Sequence, residues 1–242
     1  MSSDDVKAKV SKRKQVRYAV SEDCRLKATI LLRSSDAASS NKNWSGTLVD
    51  LSPDGAHVRL SLGAVAYAGD RCVLTLSHGG TKKEITGSVA HYVCAARYSV
   101  CGVRFDMSAA GTDKAYQPIF QAIVAGASLT AGPAVTESPS RHREEFRGPS
   151  HAKLVVFRDK PAGKLVGFEF VMARFAAALA TIGTDMAKNK TQVHFRSADA
   201  ANAAIPLTRN QELEAGWEFS LAGSNLPTAI APDIRQLLRL LS

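Results

Sequence analysis

Two short groups of polar residues near the start of the sequence have side chains suited to binding a charged or polar ligand. Residues 12–17 read KRKQVR, and six Lys or Arg lie between Lys7 and Arg17 with no acidic residue among them. Residues 50–55 read DLSPDG. An arginine is a planar donor of hydrogen bonds, a carboxylate is an acceptor, and a serine hydroxyl is both. The basic group alone fits a solubilising tail, a nucleic-acid patch or a site for one ligand.

The overall charge points to an anionic partner. The chain has 242 residues and a formal net charge of +9, and residues 1–33 contain nine Lys or Arg against four Asp or Glu. This balance favours nucleic acid, a phosphorylated small molecule, an acidic protein or anionic lipid, without choosing among them. With 45% hydrophobic residues the chain can build a packed core. The sequence has no apolar run of about 20 residues and no signal-peptide core, so we expect no membrane span and a cytoplasmic protein.

The sequence holds no motif that would make the protein an enzyme or a metalloprotein. Its four cysteines form no CxxC pair, and its six histidines form no HxxxH or HExxH pair. We therefore predict no metal site, and we expect the cysteines to be free thiols that are buried or half-buried. It also lacks a GxSxG elbow, a Walker loop and a Rossmann glycine pattern. We therefore predict no catalytic residue, no cofactor and no enzyme. His57 and His91 are interpreted as surface residues of two strands.

The elements that carry these residues have a strand period in the first half of the chain. Alternating or β-branched stretches, separated by turns, predict six strands at 25–32, 44–52, 56–62, 71–77, 82–96 and 98–107. Gly87, inside the fifth of them, predicts a bulge. Six short, closely spaced strands are typical of a small antiparallel barrel or sandwich. Residues 113–126 change to helical spacing, which predicts a helix after the barrel.

The rest of the chain predicts further domains around this barrel domain at 12–126. Residues 1–11 are predicted to be a flexible basic arm. Residues 127–150 contain three Pro and a run of mixed charge, and are predicted to be an interdomain linker. Residues 151–242 predict an α+β domain of unknown role, with strands at 152–159, 191–197 and 216–223 and helices at 171–183 and 232–242. The last helix is predicted to be a core element rather than a dimer seam.

The two polar groups together match a known pattern. Arg13 and Arg17 are spaced RxxxR, and Asp50, Ser52 and Gly55 form DxSxxG further along the chain. This pair of motifs resembles the signature of the PilZ family, which binds the bacterial second messenger cyclic di-GMP. The resemblance implies that these five residues form the ligand site.

The resemblance covers residues 12–125, about half of the chain. Residues 68–77 resemble a Gly-led strand of the family, and GSVAHY at 87–92 and GVRF at 102–105 are similar to its last two barrel strands. The resemblance implies a six-stranded barrel followed by a helix, to which this chain adds the C-terminal α+β domain. The interval from the RxxxR motif to the DxSxxG motif is long for the family, and the polar loop at 33–43 accommodates it.

The chemistry of cyclic di-GMP suits the residues of both motifs. The two arginines would pair with guanine O6 and N7, bind a phosphate or stack on a base. Asp50 would accept hydrogen bonds from guanine N1–H and N2–H₂, and Ser52 would offer its hydroxyl. Gly55 would let the backbone turn and approach the ligand closely. A basic arm that closes over the barrel would be a disorder-to-order switch.

Three functions fit the sequence. The first is a cyclic di-GMP effector that changes the arrangement of its arm and domains to signal to a protein partner. The second is a basic nucleic-acid-binding protein, which explains the charge but not DxSxxG. The third is an adaptor with a ligand-blind PilZ-like barrel, which the intact motifs oppose. The sequence contains no GGDEF, EAL or HD-GYP signature of cyclic di-GMP synthesis or breakdown, and it identifies neither the protein partner nor the oligomeric state.

Overall fold

The structure is a computed structural model. It describes residues 15–33, 41–132, 135–138, 141–160, 163–180, 192–199, 201–202 and 204–241. The predicted basic arm and Arg13 lie outside these ranges. Within them, no helix is long and apolar enough to cross a membrane.

The first half of the chain folds into a closed antiparallel β-barrel. Its strands are β1 (Tyr18–Ala19), β2 (Lys27–Arg33), β3 (Lys42–Ser52), β4 (Gly55–Leu60), β5 (Arg71–His78), β6 (Thr81–Cys94) and β7 (Ser99–Phe105). Strands β2 to β7 follow the order β3-β2-β5-β6-β7-β4, and the pairing of β3 with β4 closes the ring. The short β1 pairs with the end of β3. The predicted six-stranded barrel is confirmed.

Alternation of buried and exposed side chains builds the barrel interior. Along β2 and β5 every second side chain is buried, including Ile30, Leu74 and Leu76. Each such aliphatic side chain contributes roughly 1.5–3 kcal/mol by leaving water. Helix α1 (Thr112–Ala127) follows the barrel, as predicted, and adds Tyr116 and Ile119 to the same core.

Two bulges and one close strand contact shape the barrel. The pairing of β3 with β4 shifts register just before Asp50, and the pairing of β6 with β7 shifts just before His91. Gly87, predicted to mark a bulge, is regularly paired, and a Cβ there would collide with the carbonyl oxygen of Arg104. Gly87 therefore allows β6 and β7 to approach closely, and the bulge lies at Ala90 instead.

The second half of the chain adds another antiparallel sheet and two helices. Its elements are β8 (Thr130–Ala131), β9 (Val135–Ser138), β10 (Arg141–Arg147), β11 (Lys153–Asp159), β12 (Leu165–Val171), β13 (Phe175–Ala180), β14 (Gln192–Ser197), α2 (Arg209–Ser224) and α3 (Pro232–Arg239). The sheet order is β14-β13-β12-β11-β10-β8, and β9 pairs with β10. This is the predicted α+β architecture. In α3, Ile234 and Leu238 are buried in the core of this half.

Helix α2 joins the two halves of the molecule. It contributes Ala215 and Phe219 to the core of the second half, and Trp217 and Leu221 to the barrel core. The predicted strand at 216–223 is wrong, because this part of α2 is buried on all sides and has no polar face to reveal its helical period. The start of α2 does carry a readable signal, the capping box of Thr208 and Gln211.

Two other segments also differ from their predictions. Residues 171–183 were expected to be helical because alanine favours helices, yet Phe175–Ala180 pairs with β12 on one edge and β14 on the other. Residues 127–150 were expected to be a linker, yet they contain β8, β9 and β10. In β10, Glu145 accepts hydrogen bonds from Arg143 at 2.5 Å and Arg147 at 2.6 Å. Acidic and basic residues that suggest a solvated linker therefore lie on one face of a strand, where they form a row of ion pairs.

Candidate functional site

The DxSxxG residues lie at the end of the β3–β4 hairpin. The connecting loop has two residues, so Ser52 lies opposite Gly55 and, two steps further along, Asp50 lies opposite His57. The bulge just before Asp50 adds a residue to β3 at this point, and bulges commonly redirect a neighbouring side chain. The hairpin therefore fixes which side chains meet at this end of the barrel.

Gly55 and Ser52 have mainly backbone roles in this hairpin. A Cβ on Gly55 would lie 2.6 Å from the carbonyl oxygen of Val103 on β7, so only glycine fits. Gly55 has no positive φ, and its freedom is used for close strand approach rather than for the turn. Ser52 is buried, and its carbonyl accepts a hydrogen bond from the Tyr116 hydroxyl of α1. Burial raises the pKa of Tyr116, which keeps this hydroxyl a donor.

Arg17 reaches the hairpin because β1 pairs with the end of β3. Ala19 lies opposite Asp50, which brings the preceding arginine beside the same carboxylate. Arg17 Nη1 donates to Asp50 Oδ1 at 3.0 Å, and the two side chains are 30% and 18% exposed. The second arginine of RxxxR and the aspartate of DxSxxG therefore form an ion pair that solvent still reaches.

His57 completes this cluster, although the sequence suggested only a surface position on a strand. Its Nδ1 lies 2.9 Å from Asp50 Oδ2, and Arg17 Nη1 lies 2.7 Å from Nδ1 and 2.6 Å from Nε2. A carboxylate only accepts hydrogen bonds, so we assign a proton to His57 Nδ1, which donates to Asp50, while the Arg17 guanidinium lies against the imidazole ring. The two-residue loop at 53–54 was the signal that could have placed His57 opposite Asp50.

A second histidine lies behind the first. The rings of His57 and His91 meet edge to face, with centroids 4.9 Å apart and an angle of 86° between the planes. Both residues pair with Gly102 of β7, on either side of it. A Cβ at Gly102 would collide with the His91 ring, so the glycine of GVRF makes room for this histidine.

A cavity of about 330 Å³ opens beside the cluster. It is lined by Gln15, Arg17, Ser52, Asp54, Gly55, Ala90, Val103 and Arg104. Arg104 lies opposite Gly55 on β7 and was missed from the sequence, although it is the arginine of the quoted GVRF. Two guanidinium groups and one carboxylate among the lining residues favour an anionic ligand.

The comparison with known families agrees with the geometry. The family model named PilZ domain matches residues 11–116 of the chain. Residues 11–116 form a PilZ domain. PilZ domains make up a family of cyclic di-GMP-binding effectors rather than enzymes, and some of its members are ligand-blind. No curated protein sequence is significantly similar to the chain.

The PilZ domain contains every residue of both motifs. The structure brings Arg17, Asp50, Ser52 and Gly55 together at one end of its barrel. Arg13 belongs to the matched range but lies outside the described residues, so its place in the site stays a prediction. The match ends within α1, and the second sheet, α2 and α3 lie beyond the PilZ domain.

The cysteines of the PilZ domain are free, as predicted. Cys24, Cys72 and Cys101 are buried, and Cys94 is exposed. Burial raises the pKa of both Cys72 and Cys101 to about 12, so these thiols stay protonated and unreactive at neutral pH. In the described part of the chain, no three His, Cys, Asp or Glu side chains come together as a metal site.

Proposed function

We propose that the protein is a cyclic di-GMP receptor that binds its ligand through the PilZ domain and passes the event to its C-terminal half without catalysis. The observation that carries this proposal is the cluster of Arg17, Asp50 and His57 at the edge of a cavity lined by the other DxSxxG residues. Arg17, Ser52 and Gly55 line one cavity and Asp50 is ion-paired to Arg17 beside it, which supports ligand binding over a ligand-blind adaptor.

The chemistry of the cluster fits a molecule with two guanines and two phosphates. Asp50 can accept the N1–H and N2–H₂ donors of a guanine, and Arg17 and Arg104 can bind a phosphate or the O6 and N7 edge. In this structure Arg17 donates to Asp50, the acceptor that the guanine needs. Binding therefore exchanges one charge-assisted hydrogen bond for another and releases Arg17 toward the phosphates. In this proposal Arg13 supplies a further guanidinium.

Movement of Arg17 has a route to the C-terminal half. Four residues later, the Ser21 N–H donates to Asn225 Oδ1 at 2.8 Å, and Asn225 is the C-cap of α2. Arg239 at the end of α3 donates to Asp23 Oδ2 at 2.8 Å. Because the same short segment holds the site arginine and both helix contacts, a shift of Arg17 toward a ligand changes how α2 and α3 are held.

Isothermal titration calorimetry of the whole chain with cyclic di-GMP tests ligand binding, with GTP and a short single-stranded DNA as controls. We expect saturable binding of cyclic di-GMP alone. Arg17→Ala should weaken it at least about tenfold, or about 1.4 kcal/mol. Lys7→Ala, which removes one charge outside RxxxR, is the matched control and should bind like the wild type. Equal affinity in all three proteins, or binding of DNA instead, would contradict the proposal.

Hydrogen exchange of the same protein tests the route to the C-terminal half. Saturating cyclic di-GMP should change amide protection at the end of α2 and in α3, as well as around β1 and the β3–β4 hairpin. Changes confined to the PilZ domain would show that the ligand binds without altering the contacts of Ser21 and Asp23.

A further inference from the structure

A second cavity, of about 610 Å³, lies where the PilZ domain meets the C-terminal half. Its walls come from the start of β6, the first turns of α1, the turn between β12 and β13, and α2. Its volume falls within the range of roughly 300–1,000 Å³ that is typical of small-molecule sites. No residue of RxxxR or DxSxxG lines it. We call it the junction cleft.

One wall of the junction cleft contains an ion pair whose carboxylate is buried and whose arginine is exposed. Glu218, whose side chain is 5% exposed, accepts a hydrogen bond from Arg174 Nη1 at 2.7 Å. Arg174 Nη2 donates to Glu214 at 2.9 Å, so two carboxylates neutralise and hold this arginine. Burial raises the pKa of Glu218 to about 7, although the charges of Arg174 and Lys83 lower it. The Glu218 carboxyl is therefore both a donor and an acceptor near neutral pH.

Two lysines give the PilZ-domain wall of the cleft a positive charge. Lys83 lies on β6, with its Nζ 6.0 Å from the centroid of the Trp217 ring, and Lys114 lies in the first turns of α1. Among the residues that the structure describes, neither lysine is ion-paired to a carboxylate. Since Arg174 is already neutralised, the charge left over in the cleft is positive.

Helix α1 adds hydrogen-bonding groups to the same wall. Pro118 lies inside the helix and has no N–H, so the carbonyl of Lys114, four residues earlier, lacks its usual helical donor. Gln117 and Gln121 lie on the same face and bring amide groups to the cleft. On the facing helix, Leu213 is a large apolar side chain that is 66% exposed. The cleft thus combines cations, polar groups and an apolar wall.

We propose that the junction cleft binds a small molecule that carries a planar ring and one anionic group, either a phosphate or a carboxylate. Lys83 and Lys114 bind the anionic group, the ring lies against Leu213 and Trp217, and Glu218 hydrogen-bonds to its polar edge. Trp217 is a rigid wall because its Nε1 donates to the His78 carbonyl at 3.0 Å. Since both halves of the chain line the cleft, the bound molecule holds them in one arrangement.

The indole N–H of Trp217 is a reporter for this cleft in ¹H–¹⁵N spectra of the whole chain. The sequence has only two tryptophans, so Trp44→Phe assigns the signal. The protein is titrated with AMP, a purine phosphate, and separately with phenylacetate, an aromatic carboxylate, with excess cyclic di-GMP present. We expect a saturable shift of the Trp217 signal with a Kd below about 1 mM. A response to AMP alone assigns the site to phosphates, and a response to phenylacetate alone assigns it to carboxylates.

Lysine variants decide whether the shift reports the proposed contacts. Lys83→Ala combined with Lys114→Ala should weaken the responding probe at least about fivefold, or about 1 kcal/mol. Lys42→Ala removes an exposed lysine of β3 that does not line the cleft, and should leave the Kd unchanged. An unchanged Trp44 signal shows that the double variant is folded. The absence of a shift with both probes up to ~10 mM, or an equal Kd in the double variant, would overturn the proposal.

Discussion

The protein contains two arginine–carboxylate pairs that have similar N–O distances and solvent-accessible arginines but differ in the burial of the carboxylate. Arg17 and Asp50 are 3.0 Å apart at the open end of the barrel, where water and a cavity reach them. Arg174 and Glu218 are 2.7 Å apart between the two halves, where burial raises the pKa of Glu218 to about 7. A carboxylate that solvent reaches can exchange its partner for a ligand at little cost, whereas a buried carboxylate depends on its partner.

The difference follows from the elements that carry the two carboxylates. Asp50 lies near the end of β3, beside a bulge and opposite His57, so its side chain is directed to the barrel surface. Glu218 lies on α2, which is buried from Ala215 to Ser224 and has no solvent face in that stretch. Asp50 is therefore a candidate for exchanging its arginine for a ligand, whereas Glu218 keeps its arginine as a stabilising partner.

Arg174→Ala should have the largest effect on stability. It leaves the buried Glu218 without its donor and removes the hydrogen bond to Glu214, so we expect a loss of about 2–3 kcal/mol in urea unfolding. Arg196→Ala is the matched control, because the Arg196–Glu169 pair spans two strands with both side chains exposed. The control should lose no more than about 1 kcal/mol. Equal losses would remove the distinction between the pairs.

The raised pKa of Glu218 predicts a pH dependence of stability. The native state keeps a proton on this carboxyl up to about pH 7, whereas the unfolded chain releases it near its ordinary value of about 4.3. The unfolded state then binds fewer protons in this interval, so the stability contributed by Glu218 falls as the pH rises to 7 and is level above it. Burial lowers the pKa of His78, so the stability that His78 contributes rises with pH. This contribution must be separated from that of Glu218.

Comparing wild type with Glu218→Gln separates the two contributions, because His78 is present in both proteins and the Glu218 carboxyl only in the wild type. Arg174, Glu214 and Lys83 face the Glu218 carboxyl and are unchanged in the variant. From about pH 5 to about pH 8, the unfolding free energy of wild type relative to the variant should fall by roughly 2 kcal/mol. If the difference in unfolding free energy between wild type and variant does not change with pH, Glu218 titrates normally. Asp50 and Glu218 would then differ less than their burial indicates.

Much of the barrel was predictable because its strands are half-buried and alternate, as in residues 71–77. The errors fall where tertiary contacts replace that signal. Phe175–Ala180 is rich in alanine yet pairs on both edges, and residues 216–223 are helical yet lack a polar face. A local pattern reports which side of an element meets water, so it fails where an element has no such side.

The candidate site was predictable to the extent that its motifs are local. Asp50, Ser52 and Gly55 are close in sequence, whereas Arg104 reaches the cavity only through the pairing of β4 with β7. The position of His57 opposite Asp50 could have been predicted, because a two-residue loop fixes the register of a hairpin. The junction cleft could not have been predicted from the sequence, because its walls depend on how the PilZ domain and α2 pack together.

Asp50→Ala should separate binding from stability. It removes the acceptor for guanine donors, so we expect the affinity for cyclic di-GMP to fall at least about tenfold, or about 1.4 kcal/mol. Its unfolding free energy should change by less than about 1 kcal/mol, since the Arg17–Asp50 pair is partly exposed. Asp113→Ala, at an exposed position of α1, is the charge control for the calorimetry. A large loss of stability with unchanged affinity would reverse the roles assigned to the two pairs.

His57→Ala should have the smallest effect, because this side chain positions Asp50 rather than binding guanine itself. Loss of the hydrogen bond from Nδ1 leaves the carboxylate free to rotate, and we expect an approximately threefold weaker affinity, or about 0.6 kcal/mol. His57→Asn keeps a donor on a shorter side chain and should restore part of the affinity in calorimetry. Tighter binding by His57→Ala would mean that His57 mainly restrains Arg17, and that the pre-formed cluster opposes the ligand instead of preparing its site.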